Sequence, residues 1–325
     1  MEDAKEKGPY LAHRRALLSS TRVRELSRLR PGRALLDAAF AWLVIIAAWL
    51  GVAHFPHWWT VALAIPVIGT RYYALWIIGH DGLHRRVFAR VNDNDLFTDI
   101  AVFGPIGAIT RLNNRNHLDH HLHMCSERDP DRHKHGSYNK TTRLSVFAFL
   151  TGVSSLVRSV KNVFLPKSKQ EGPGRRYTLR DLAIVLTWQA ALIGGLSFGI
   201  GWWAWPVLWL LPVYVFTFLA DSARAFIEHS HPEEDALADT HRLITVVSNP
   251  IERLFFAPLH MNLHASHHLW PSIPYYNLPI AEREMRTHTA ARELPLRSSY
   301  LGYLWTYCAS LPHSKFSKPE AISTK

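Results

Sequence analysis

Four runs of apolar residues organise this chain, at about 35–55, 59–79, 182–199 and 204–222. Each approaches the roughly 20 residues a helix needs to cross a hydrocarbon core. The first has Asp37 at its edge and no charge within, and the second contains Pro66, Gly69 and Arg71. The runs pair off. Pro56-His57-Trp58-Trp59 breaks the first pair, and Gly201-Trp202-Trp203-Ala204-Trp205-Pro206 breaks the second. Trp favours the membrane–water interface, so both turns suit that level. The pattern predicts an all-α fold with four transmembrane helices in two hairpins. Buried helices of a water-soluble protein are the competing reading, and the uncharged, Trp-rich turns count against it. Two shorter apolar stretches, 96–110 and 144–157, read as interfacial or re-entrant helices. The segments 129–143 and 166–180 read as loops, with Asp129-Pro130-Asp131 and Gly172-Pro173-Gly174 as breakers.

Charge orients this scaffold. There are 37 Lys and Arg against 26 Asp and Glu, a formal net charge of +11. Neither turn, 51–60 or 199–206, holds a Lys or Arg. Apart from Arg71, the basic residues lie before residue 35, between 80 and 181, and after 220. The positive-inside rule places those three regions in the cytoplasm. The +11 then needs no nucleic-acid partner. Hydrophobic residues make up 48% of the chain, yet the mean hydropathy is only -0.06, as alternating greasy and polar blocks require. Residues 1–34 show no signal-peptide core or cleavage site. They read as a cytoplasmic lead-in, either a surface helix or a basic tail. The expected division is this segment, a membrane domain over 35–285 and a cytoplasmic C-terminal tail over 286–325, in a multi-pass protein of a bacterial inner membrane.

Histidine changes the picture most. Three clusters read His80-Asp81-Gly82-Leu83-His84, His117-Leu118-Asp119-His120-His121 and His264-Ala265-Ser266-His267-His268. Spacing of i, i+3, i+4 sets imidazoles on one helix face, and neutral imidazole is the commonest metal ligand. The clusters read as one shared metal site at the polar ends of the apolar segments. Eight imidazoles exceed the four that zinc takes, so two ions fit the count. Nitrogen ligation suits iron, copper, nickel or zinc alike. A redox metal at the end of an apolar tunnel suits oxidation of an unactivated C–H bond. Cys125 and Cys308 stand at unrelated positions and offer neither a disulfide framework nor a thiolate site.

His229 ends Arg224-Ala225-Phe226-Ile227-Glu228-His229 and stands to the fourth run as His80 stands to the second. It is the ninth candidate ligand, with His241 as its substitute. Asp221, Arg224 and Glu228 share a helix face, as an ion-pair ladder behind ligand rings or as a plain snorkelling bridge. Asp81 and Asp119, inside the first two clusters, and Asn262 and His260, before the third, are candidates to orient ligand rings. His123, His133, His135 and His231 read as solvated, and His54 and His57 as interfacial. Arg71 is a functional candidate within the membrane, facing a polar substrate group or Asp221, unless helix tilt brings it to the surface.

The HDGLH, HLDHH and HASHH boxes, with RAFIEH over 224–229, NLHASHHLWPSIPYYNLP over 262–279 and the DPD at 129–131, resemble the membrane fatty acid desaturase family. That superfamily of histidine-box enzymes includes carotenoid hydroxylases and ketolases, and the likeness spans roughly 35–285. The resemblance implies a di-iron centre in a helical cytoplasmic cap, with His80, His84, His117, His120, His121, His229, His264, His267 and His268 as ligands. It implies O2 as co-substrate, two electrons from a separate donor, and an apolar chain in a tunnel between the spans. Ala225 stands where animal acyl-CoA enzymes carry an Asn, and His264 where front-end desaturases carry a Gln, which counts against both subgroups. No Gly-rich dinucleotide fingerprint or His-Pro-Gly-Gly haem core is present, so a ferredoxin or small cytochrome is the expected donor, drawn to the basic face. Desaturation of a fatty acyl lipid leads, and hydroxylation or ketolation of an isoprenoid follows. A metal transporter is the remote reading, since the spans hold few polar residues (Arg71, Thr187, Gln189).

Overall fold

A computed structural model describes residues 11–124, 126, 128–134, 141–157, 176–230 and 242–312. Among the described residues, four helices are long and apolar enough to cross a membrane: Pro31–His54, Trp58–Leu83, Leu179–Gly199 and Pro206–His229. Each starts or ends a few residues beyond the expected run. The second runs through the first histidine box, and the fourth carries on to His229. The first span turns Leu36, Phe40, Leu43 and Leu50 outward, from 54% to 70% exposed. Rows of large apolar side chains on the outside of a fold are what lipid, rather than water, accommodates.

The inner faces knit the spans together. Trp42 of the first span stacks on Trp188 of the third and Trp209 of the fourth, at centroid distances of 5.1 and 6.0 Å. Gly69 lets the fourth span approach the second, since a Cβ there would lie 2.5 Å from the Phe216 side chain. The fourth span winds through two π-helical stretches, Pro206–Leu210 and Tyr214–Leu219, before regular helix resumes at Ala220–His229. Such stretches rotate the downstream face relative to an ideal helix.

The apolar segment near 96–110 is not one helix. Helix Val91–Thr98 runs into a π turn, Asp99–Phe103, and a 3₁₀ turn, Gly104–Ile106. It packs among the spans, where Tyr72 donates to the Val102 carbonyl at 2.5 Å and Trp42 to the Ala101 carbonyl at 2.9 Å. Helix Arg143–Leu150 buries Val146 and Phe149 and exposes Leu144 and Phe147. The segment after residue 285 packs onto the same body: Leu296–Arg297 pairs in parallel with Thr245–Val246, and helix Tyr300–Ser310 lies against the fourth span. His135, Cys125, His231, His241 and the Gly172-Pro173-Gly174 breaker lie outside the described residues.

Candidate metal centre

Four pieces of chain supply the histidines. The second span delivers His80 one turn from its end, with His84 as its C-terminal cap residue. Helix Thr110–His123 carries the second box, His264–Leu269 the third, and the fourth span ends on His229. Local chemistry fixes these pieces to one another. Gly82 is glycine because a Cβ there would collide with the Thr98 side chain. Asn94 donates to the Gly82 carbonyl at 2.8 Å, and Asn114 of the second-box helix donates to that of Leu83. Thr98 and Thr110 share a 2.6 Å hydroxyl contact, and Asp99 caps the second-box helix by accepting from Thr110 N at 2.7 Å.

The nine candidate ligands come together in two adjoining groups. His80, His84, His117, His121 and His267 each place a ring nitrogen within 4.8 Å of the others, and His120, His229 and His268 do the same. His264 joins the second group, its Nε2 2.8 Å from Nε2 of His229. The groups touch where His121 and His268 stack at 4.2 Å. In the first, Nε2 of His84 and His117 lie 2.8 Å apart, and those of His121 and His267 lie 3.1 Å apart. Ligands about 2.1 Å from one cation lie about 3 Å from each other, so this spacing suits shared coordination.

The donor set fits a metal. Nδ1 of His80, His121 and His267 and both nitrogens of His268 are buried without a hydrogen-bond partner among the described residues. Burial pushes His84 down to about 3, with His120 and Arg86 adding to the shift. His117, His121, His264, His267 and His268 are likewise pushed well below the ordinary imidazole range, by burial first and neighbouring charge second. Neutral rings keep their lone pairs free for a cation.

Carboxylates and a carbonyl hold the second group from behind. Asp129 lies 3.0 Å from Nδ1 of His120, and the Arg242 carbonyl 3.2 Å from Nδ1 of His229. Glu228 Oε2 lies 3.3 Å from Nδ1 of His264. Arg224 Nη1 is equally close to that ring atom, but it is a donor, and only the carboxylate can accept from Nδ1–H. Arg224 also binds Glu228 at 2.7 Å and Asp221 at 2.9 Å, and its Nε donates to Tyr73 at 3.1 Å. Asp221, offered as a partner for Arg71, is thus engaged by Arg224.

Four ring-orienting candidates are placed elsewhere. Asp119 is on the outer side of its helix, 43% exposed and 3.8 Å from Arg115. Asn262 donates to the Val246 carbonyl at 2.9 Å and so braces the backbone before the third box. Asp81 accepts from Tyr275 N at 2.8 Å, tying the first box to the chain after the third. His260 faces a separate pocket with Arg30, Arg33 and Tyr276. His133 is half-buried and apart from both groups, with Nδ1 3.0 Å from the Pro130 carbonyl. Asp129 was read in the sequence as a breaker and as part of the family-like DPD, not as a partner of a ligand ring. Its position just after the second box, in Asp-Pro-Asp, was the signal.

A cavity of about 220 Å³ opens on both groups, touching His80, His117, His120, His229, His264 and His268. Trp76, Leu83, Phe103 and Ala225 form its apolar wall; Asn113, Asn116, Asp131 and Lys134 form a polar one. Lys134 and Asp131 pair there at 2.9 Å.

A sequence model of the fatty acid desaturase family matches residues 56–300. The chain belongs to that family. This desaturase-family protein is 26% identical over 246 residues to a beta-carotene ketolase of Paracoccus sp., covering 72% of the chain and 88% of the relative. It is 23% identical over 287 residues to an sn-1 acyl-lipid omega-3 desaturase (ferredoxin) of Nostoc sp., covering 81% and 75%. It is 25% identical over 267 residues to an sn-1 oleoyl-lipid 12-desaturase of Arthrospira platensis, covering 74% of each. Family and relatives make it an oxidoreductase, with four membrane-length helices and a histidine site able to hold metal.

Proposed function

We infer that this protein is a membrane di-iron enzyme that introduces a double bond into a fatty acyl chain of a lipid, consuming O2 and two electrons from a separate donor. The observation that carries the reading is the gathering of nine histidines into two touching groups. His80, His84, His117, His121 and His267 would hold one iron, and His120, His229, His264 and His268 the other. Bound there, the irons supply the O2-dependent oxidising power that an unactivated C–H bond requires. The protein's own residues prepare the ground. Asp129, Glu228 and the Arg242 carbonyl fix which nitrogen of His120, His264 and His229 faces inward. Trp76, Leu83 and Phe103 keep water from one side of the cavity and offer a surface to an apolar chain. The charge pattern supports a cytoplasmic site, an arrangement that suits an acidic ferredoxin or small cytochrome as donor.

Oxygenation of an isoprenoid, by hydroxylation or ketolation, is the second reading, favoured by the beta-carotene ketolase among the relatives. Lipid profiling after expression with a matched ferredoxin and reductase separates the two. New double bonds in acyl chains, absent in a His264→Ala control, support desaturation. Oxygenated isoprenoid with unchanged acyl chains would sink it.

A further inference from the structure

Helix Tyr300–Ser310 lies beyond the last histidine box, yet its first residue reaches the candidate metal centre. Glu252 anchors the start of this helix, accepting from Ser299 Oγ at 2.6 Å and from Tyr300 N at 3.2 Å. Tyr300 is fully buried, its ring stacked on Phe256 with centroids 5.3 Å apart. Its hydroxyl donates to Glu228 Oε1 at 2.7 Å. The other carboxylate oxygen takes Arg224 at 2.7 Å and stands 3.3 Å from Nδ1 of His264. Glu228 is therefore gripped from three elements: the C-terminal helix, its own span and the third-box helix. The last torsion of a glutamate is broad and twofold, so Arg224 on one oxygen leaves the carboxylate plane loosely defined. Tyr300 on the other oxygen defines it.

The geometry points to Tyr300 as a positioning residue that locks the Glu228 carboxylate and, through it, holds the ring of His264 with Nε2 beside His229. This rests on the reading of the nine histidines as a di-iron centre. It also makes a helix outside the histidine motifs part of the support of one iron and not the other. Arg297 strengthens the same connection. It donates to the carbonyls of Ile227 and Ser230, which flank Glu228 and His229, and lies 3.5 Å above the Tyr303 ring.

Tyr300→Phe keeps the stack on Phe256 and removes only the hydroxyl. The full-length protein, purified in detergent and reconstituted with iron, is read for iron retained under a timed chelator challenge and for its Mössbauer spectrum. The expected result is about tenfold weaker retention of one iron and a change in one of two quadrupole doublets. Tyr307→Phe, on the same helix with its ring against Phe226, leaves both readouts as in the wild type. In a Glu228→Gln background, adding Tyr300→Phe produces no further change, because the route runs through that carboxylate. Wild-type retention and spectrum in Tyr300→Phe overturn the positioning role and leave the di-iron reading intact. A wild-type chain that takes up no iron overturns both. Should Tyr300→Phe not fold, an unaltered spectrum in Glu228→Gln overturns the role equally.

Discussion

The carboxylate of Asp129 lies 3.0 Å from Nδ1 of His120, and both side chains are buried. Asp129 also accepts from Asp131 N at 2.8 Å, so the same carboxylate ties the loop after the second box to the ring. A carboxylate behind a ligand imidazole fixes the ring's tautomer and direction. Asp129→Ala is expected to weaken iron retention by about 10- to 100-fold. Asp119→Ala, one residue before His120 but on the exposed side, is expected to leave it unchanged. Iron per chain after a chelator challenge checks both, and equal loss in the two variants would contradict the assignment.

Gly82 and Thr98 make a second, purely steric prediction. A methyl at residue 82 would occupy the space of the Thr98 side chain, and overpacking of this kind costs about 1–3 kcal/mol. Gly82→Ala is expected to lower thermal stability and iron occupancy together. Thr98→Ser removes the obstructing methyl while keeping a hydroxyl for Thr110. The double variant is expected to recover much of the loss, as a melting series on the four proteins would show.

The second box shows both what the sequence made legible and where it misled. His117, His120 and His121 share a face because 3.6 residues make a turn, and the structure brings all three inward. The same arithmetic sets Asp119 more than half a turn from His117, on the outside, although its place inside the motif suggested a ligand support. The spans were legible as apolar runs with histidines at their polar ends, but the depth of those ends was not: the second buries His80 and Asp81 in its final turn. The π turns of the fourth span left no periodic signal. The roles of Asp129 and Tyr300 went unassigned for a different reason. One depends on a loop's path, and the other lies 72 residues from Glu228.

Acidity acts through the histidines' burial. Folded-state values such as that of His84, pushed down to about 3, lie below the unfolded imidazole value of about 6.5. The unfolded chain then binds more protons in that window, so stability rises with pH between about 3 and 6.5 and is flat above. Metal-free protein in detergent is expected to keep a constant melting temperature from pH 8 to 7 and to lose stability progressively from pH 6 to 5. A melting temperature that rises on acidification would contradict the burial of neutral rings.

Arg297 closes the end of the fourth span. It donates to the Ile227 and Ser230 carbonyls next to His229 and stacks on Tyr303. Hydrogen bonds from a charged donor to buried carbonyls are each worth about 1.5–3 kcal/mol. Arg297→Ala is expected to destabilise by about 2–3 kcal/mol, and Arg297→Lys to recover only part, since lysine lacks the planar fork. Denaturation midpoints of the three proteins decide this.

The most direct test of the central claim is a metal count on the purified, full-length protein after anaerobic reconstitution, with the Mössbauer spectrum of the same sample. Two irons per chain are expected, falling to about one in His229→Ala, where the second group loses a ligand, with the first group's signal retained. A single ion per chain in the wild type, or tight zinc that iron fails to displace, would contradict the two-group di-iron centre.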